Sequence, residues 1–310
     1  YDEFGNLVNR IILHPAHAEA GRALWESGIV ALAKNPGASL EHATLFYLLS
    51  REGEIGHACP IACTIGAIRA LRRHPSPPTD PCLPRLLETR YDHAFRAAQF
   101  LTEIQGGSDV GANAVEARPF RDGSYRITGE KWFCSVADAD LFLMTARPTD
   151  APPGTRGLGC FLVPRRLDSG LPNGFFIRRL KEKIGTRSLA TAEIDFTNAL
   201  AYPVGSPEEG FKIAVSDLLN TSRWLNAVAN AGILRRAYLE ALLYAQSRRA
   251  FGRVIISFPP ILEKLARLKT EWIRALYSSW LVTQLDERVD AGTATHDERL
   301  FYRFLVNANK

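Results

Sequence analysis

Four short segments concentrate the residue types that can close on a phosphate or a planar ring. TEIQGGSDVGAN, spanning Thr102–Asn113, sets two adjacent glycines before Ser108 and Asp109. Without a Cβ, Gly106 and Gly107 let backbone N–H groups approach an anion or a ring system, and the Ser108 hydroxyl adds a donor. Taken alone, the same residues read as a turn closed by a Ser or Asp side chain. GEKWFCS, 129–135, places an aromatic, Phe133, and a hydroxyl, Ser135, on a β-type run, where an isolated Phe more often serves the core. KIGTRSLATAEIDF, 183–196, joins a cationic loop to another β-type run. SRRAFGR, 247–253, ends a helical pattern with Arg248 and Phe251 three residues apart, so that both can face one side. There an arginine can pair with a diphosphate while the ring packs on a cofactor, although a cation offsetting the helix dipole accounts for Arg248 equally well.

These segments need a frame, and the pattern of the chain supplies three parts. The first 95 residues read as helices, among them 20–33 and 42–49, by apolar spacing and length. HPSPPTDPCLP, His74–Pro84, carries five prolines and forbids both helix interior and sheet ladder, so it connects helices. Beyond Phe100 the pattern turns to short β-type runs at 125–128, 131–136, 141–146, 158–163, 175–180 and 191–196, bounded by turn residues. No helix-length pattern interrupts them, which favours an antiparallel sheet over a wound parallel one. From Glu208 long helices return, at 213–250 and 261–289, and THDE at 295–298 offers a capping box with Thr295 as N-cap and Glu298 reaching back. The expected class is α+β multidomain: an N-terminal all-α domain (1–97), a middle antiparallel β domain (98–205) and a C-terminal helical-bundle domain (206–310). DERLFYRFLVNANK ends inside a periodic apolar pattern and YDEFGNLVNR begins without Met, so we expect a piece of a longer protein with an incomplete bundle.

Composition narrows the function classes. With 310 residues, 46% hydrophobic and 23% charged, the chain can bury a substantial core. No window reaches about 18 uncharged apolar residues, which argues against a membrane span, and the start lacks the basic-then-apolar order of a signal peptide. Five cysteines without a paired framework spacing fit a reducing, cytoplasmic setting. His57, Cys59 and Cys63 in HACPIAC are metal-ligand types at the wrong spacing for zinc, and no metal is expected. The net charge of +5 arises wholly in the last third, where residues 221–310 hold 14 Lys/Arg against 8 Asp/Glu. Such a surface can meet phosphate, from a nucleotide cofactor, coenzyme A or nucleic acid.

In their order, TEIQGGSDV, GEKWFCSV, RLKEKIGTRS and RRAFG resemble the signatures of the acyl-CoA dehydrogenase family of flavoproteins, in the forms typical of its AidB-like, alkylation-response branch. The resemblance implies FAD as cofactor. It places Leu101 and Thr102 at the flavin ring edge, Gly107 and Ser108 at the pyrophosphate, and Phe133 and Ser135 where the family usually has Trp and Thr. Arg248 and Phe251 take the places of the family's R-x-x-F pair, which reaches the FAD of a neighbouring subunit and so implies a homo-oligomer, a dimer or tetramer. Arg223, in NTSRW, matches an arginine on the substrate side, for a small-molecule substrate of acyl-CoA type. The implied reaction removes the α-proton of a thioester with a carboxylate while hydride passes to flavin N5. No base is visible, since Asn220, Thr221 and Ser222 stand where some relatives carry it, and the usual position is expected beyond Lys310. The alternative implied by the branch is a DNA-associated flavoprotein that protects against alkylation, with the basic last third meeting the phosphate backbone.

Overall fold

Capping chemistry starts the first helix. His14 is the N-cap of α1 (Pro15–Glu26), its Nδ1 accepting the Ala16 N–H at 3.2 Å, and Pro15 occupies the first helical position. The computed structural model that shows this describes residues 3–5, 8–53 and 56–309; parts of YDEFGNLVNR and Lys310 lie outside the described residues. The helix expected over 20–33 stops at Glu26, because Gly28 takes φ +79° and reverses the chain; helix resumes only as a 3₁₀ turn, Ala31–Lys34. α2 (Ser39–Ser50) and α3 (Ala58–Arg73) follow. The proline-rich connection then runs as turns into the short α4 (Cys82–Leu86).

The chain divides into two compact units, one of Tyr1–Lys34 with Cys59–Thr221, the other of Asn35–Ala58 with Ser222–Lys310. In the first, seven strands form one sheet: β1 (Ala97–Phe100), β2 (Glu116–Pro119), β3 (Tyr125–Ser135), β4 (Leu141–Pro148), β5 (Gly159–Pro164), β6 (Phe175–Leu180) and β7 (Thr191–Pro203). Pairings β4–β2, β2–β3, β3–β7, β7–β5 and β5–β4 close a ring, so five strands make a small barrel, with β1 added along β4 and β6 along β7. Most pairs are antiparallel as expected, but β1 and β2 both run parallel to β4. Each has four residues, too few to show a period, which is why neither is legible in the sequence.

The two runs read separately at 125–128 and 131–136 are one strand, β3, with register shifts after Ile127 and Lys131. Gly129, at φ +138°, lies in the first shift; a Cβ there would stand 2.9 Å from Val115 Cγ2 and 3.0 Å from Val115 Cα. Phe142 anchors the interior, stacked on Phe100 at 4.9 Å and meeting Phe175 and Phe196 edge-on at 5.4 and 6.2 Å. Full burial of each such ring contributes about 1.5–3 kcal/mol.

The single helix expected from Ile213 is α5 (Gly210–Ile213), a π-helical turn (Ala214–Leu219) and α6 (Asn220–Ser247). Inside the π turn the nearly buried Asp217 accepts from Arg73 at 2.5 Å and meets His74 Nε2 at 3.2 Å, an ion cluster that apolar periodicity does not reveal.

In the second unit α7 (Pro259–Asp290) packs against α2 and against α8 (His296–Asn309), and Gly232 of α6 lies on α2, where a Cβ would stand 2.8 Å from Tyr47 O. Buried Trp224 of α6 donates to Thr283 Oγ1 at 2.9 Å, while Asp286 of α7 accepts from Ser39 at 2.7 Å and from Tyr302 at 2.8 Å. The capping box at the head of α8 forms in both directions: Glu298 N–H donates to Thr295 Oγ1 at 3.2 Å, and Thr295 N–H donates to Glu298 Oε2 at 2.9 Å.

Candidate functional site

A buried ion pair holds the glycine loop. Lys131, on the inward face of β3, is fully buried and stands 2.7 Å from Glu103 Oε1, itself buried. The ammonium also donates to Leu101 O at 3.2 Å and Thr145 Oγ1 at 3.4 Å. The second carboxylate oxygen of Glu103 accepts the N–H groups of Ala114 at 2.6 Å and Val115 at 3.2 Å. Burial lowers the Lys131 pKa and the Glu103 charge opposes that shift, so the pair stays together. Asn113 Nδ2 closes the loop onto Leu101 O at 2.7 Å.

Between these ties the loop turns outward. Gly107 and Ser108 are exposed, and Leu101 and Thr102 half-buried. The Thr102 carbonyl accepts from Trp132 N–H at 3.0 Å, leaving its N–H and hydroxyl as its groups for a ligand. A Cβ at Gly107 would stand 2.9 Å from Thr102 Oγ1, so a side chain there would fill the approach that glycine leaves open.

β3 carries the aromatic side of the site. Phe133 is 55% exposed, unusual for a large ring on a barrel strand. Lys181 lies over it, Nζ 4.6 Å from the Phe133 centroid and 3.3 Å from that of Trp132. Lys181 is fixed by buried Glu193 at 2.7 Å, which Arg179 also reaches. The Arg179 hydrogen bond, then that of Lys181, holds the Glu193 pKa down to about 2 despite burial. Ser135 Oγ meets Thr191 Oγ1 at 3.0 Å; Lys183 donates to Thr191 Oγ1 at 3.0 Å and Leu189 O at 2.7 Å, and partial desolvation lowers its pKa. A pocket of about 240 Å³ opens here, lined by Lys181, Lys183, Arg187 and Thr191 among others. The structure thus brings Leu101, Thr102, Gly107, Ser108, Phe133 and Ser135 into one region of the first unit.

Arg223, Arg248 and Phe251 belong to the second unit. Arg223 is half-buried on α6. Arg248 and Phe251 do not share a helical turn as the spacing implied: α6 ends at Ser247, and Arg249–Ala250 pair with Arg253–Val254 in a two-residue hairpin. Its turn residues, Phe251 and Gly252, take φ +52° and +80°, as a type I′ turn requires. That turn, seeded by Gly252, displaces the helical continuation. It carries Phe251 to 95% exposure, with Phe258 edge-on at 6.1 Å, and Arg248 is exposed beside it.

Sequence reasoning missed Glu103, Lys131, Lys181 and Glu193. Lys131 and Glu193 do stand at inward positions of the β-type runs 131–136 and 191–196, whereas Glu103 and Lys181 lie outside those runs.

A helical start, a closed β-barrel and a helical bundle with an outward glycine loop make the three-part plan of an acyl-CoA dehydrogenase fold. Residues 98–199 match the acyl-CoA dehydrogenase middle domain, 208–299 its C-terminal domain, and 1–93 the N-terminal domain of the adaptive response protein AidB. The chain belongs to the acyl-CoA dehydrogenase family, with an AidB-type N-terminal part. It is 33% identical to AidB of Escherichia coli (strain K12) over 314 residues, 95% of this chain and 56% of that protein. Acyl-CoA dehydrogenase family member 11 of Caenorhabditis elegans is 30% identical over 98% of this chain and 51% of its own length. The chain therefore spans about half the length of the curated relatives it matches. Among solved structures, the apo form of Bd2924 superposes with a TM-score of 0.94 at 32% identity, over 100% of this chain and 63% of that one. C. elegans ACDH-11, solved in complex with C11-CoA, gives 0.92 at 29% identity, over 100% of this chain and 54% of that one. Among the described residues no helix is long and apolar enough to cross a membrane.

Proposed function

We propose that the protein binds FAD and acts as an oxidoreductase of acyl-CoA dehydrogenase type on an acyl thioester or a related small substrate. The observation that carries this reading is the exposed Phe133 ring beside an open glycine loop, both held by buried charge. A ring 55% exposed on a barrel strand is a surface for stacking, and the side-chain-free approach at Gly107 suits a diphosphate. The donor set fits the group: the Thr102 N–H and hydroxyl toward a ring edge, Ser108 toward phosphate, and Ser135 beside Phe133. When bound, FAD supplies the hydride acceptor for α,β-dehydrogenation.

The chain's own residues supply binding and orientation. Glu103 and Lys131 keep the loop in one conformation before any ligand arrives, which reduces the ordering cost of binding. Lys181, fixed on Glu193, keeps a cation at the Phe133 face. Arg248 and Phe251, extended from the hairpin, are the pair for a cofactor diphosphate and ring in a neighbouring copy, and imply a homo-oligomer. Arg223 is the substrate-side cation. The α-proton needs a carboxylate, and Asn220, Thr221 and Ser222 on the first turn of α6 are not carboxylates. ACDH-11, solved with C11-CoA, supports an acyl-CoA as the substrate class.

Anaerobic titration tests the reading. Acyl-CoAs of increasing chain length should bleach the flavin absorbance band of the purified protein. No bleaching at any length, together with salt-sensitive retention on DNA, would replace it by the DNA-associated function.

A further inference from the structure

Cys59 and Cys63 lie one turn apart at the start of α3, with their sulfurs 3.9 Å from each other. Residues four apart in a helix have Cα atoms about 6 Å apart, within the roughly 4.4–6.8 Å that a disulfide spans. Cys59 sits in the first turn, at the positive end of the helix dipole, and is partly exposed, whereas Cys63 is buried. The two thiols are not equivalent. The hydrogen bond shared with Cys63 lowers the Cys59 pKa against its burial, with Lys183 adding a nearby positive charge. The same hydrogen bond, with burial, raises that of Cys63 well above the ordinary thiol range. The arrangement separates an attacking sulfur from one that waits protonated beside it. Burial pushes the thiols of Cys82, Cys134 and Cys160 upward, away from reactivity.

We propose that Cys59 and Cys63 form a dithiol oxidation site for hydrogen peroxide, Cys59 attacking and Cys63 resolving. The Cys59 thiolate attacks one peroxide oxygen, the O–O bond breaks, and the departing hydroxide takes a proton to leave as water, with Cys59 as sulfenic acid. The Cys63 sulfur then attacks the Cys59 sulfur, and the expelled hydroxide leaves as a second water with the Cys63 proton. Two thiols lose two electrons and the peroxide gains them. Closing the bond draws Cβ atoms about 5–6 Å apart in a helix to about 4 Å, so it must distort the first turn of α3. Gln99 Nε2 donates to Cys63 O at 3.4 Å, and Thr64 Oγ1 accepts from Ala97 N at 3.0 Å, so the distortion reaches β1.

The test is mass spectrometry of the whole protein after peroxide treatment. Expected are the loss of two hydrogens, a linked Cys59–Cys63 peptide that dithiothreitol separates, and a fall in alkylatable thiols from five to three with Cys82 still reactive once unfolded. In Cys63→Ser, Cys59 should accumulate as a sulfenic acid trapped by dimedone. Persistence of both thiols, over-oxidation without the linked peptide, or no dimedone adduct in Cys63→Ser would overturn the assignment.

Discussion

The glycine loop and the RRAFGR hairpin come from the same set of motifs and are built in opposite ways. In the loop, the anchoring groups are buried: Lys131 is fully enclosed, and its carboxylate partner Glu103 spends its other oxygen on two backbone N–H groups. In the hairpin nothing is enclosed; Phe251 projects from a strained left-handed position, and Arg248 is exposed. The difference separates two jobs within a motif. Buried charge sets the shape of a surface, while exposed ring and guanidinium are surface waiting for a partner. Substitutions in the first region should therefore act on stability, and in the second on binding.

The largest effect is expected at Glu103. Glu103→Ala leaves the Lys131 ammonium buried without its carboxylate, a loss of about 3–5 kcal/mol. Urea unfolding should show a large fall in midpoint, and adding Lys131→Met should recover much of it. An unchanged midpoint would break the contrast, because the pair would then not hold the loop.

Acid should expose the next effect. The folded-state pKa of Glu193 is depressed to about 2 by Arg179 and Lys181. A depressed carboxylate contributes stability that is complete above its unfolded pKa of about 4.5 and disappears as pH falls toward about 2. Glu193→Gln should flatten the pH dependence of the thermal midpoint across that window and leave its slope near neutrality unchanged. An unaltered acid slope would remove Glu193 from the support of Lys181.

The smallest stability effect is expected in the hairpin. Arg248→Ala should change unfolding free energy by less than about 0.5 kcal/mol, as exposed substitutions do. It should nonetheless reduce FAD content after gel filtration. Full flavin retention would take Arg248 out of the site and leave it as a helix-end cation.

Much of this was legible in the residues. Phe175–Leu180 reads as a strand and is one, and the Thr295–Glu298 capping box forms with both hydrogen bonds. The glycines of TEIQGGSDV do turn the loop outward. What escaped was set by partners distant in sequence: Glu103 and Lys131 are 28 residues apart, and neither residue type predicts burial. β1 and β2 were too short for a period to emerge, and the π turn around Asp217 depends on Arg73 and His74 from α3 and its end. At Arg248 and Phe251 the three-residue spacing presumed a continuing helical turn, and the Phe251–Gly252 pair made a hairpin instead.

The most direct test of the central claim is an equilibrium titration of FAD into the flavin-free protein, followed by flavin fluorescence, for the wild type and Phe133→Ala. Expected is saturable binding of one FAD per chain, weakened roughly tenfold by loss of the stacking ring at an unchanged thermal midpoint. No saturable binding by the wild type, or equal affinity for the two proteins, would contradict it.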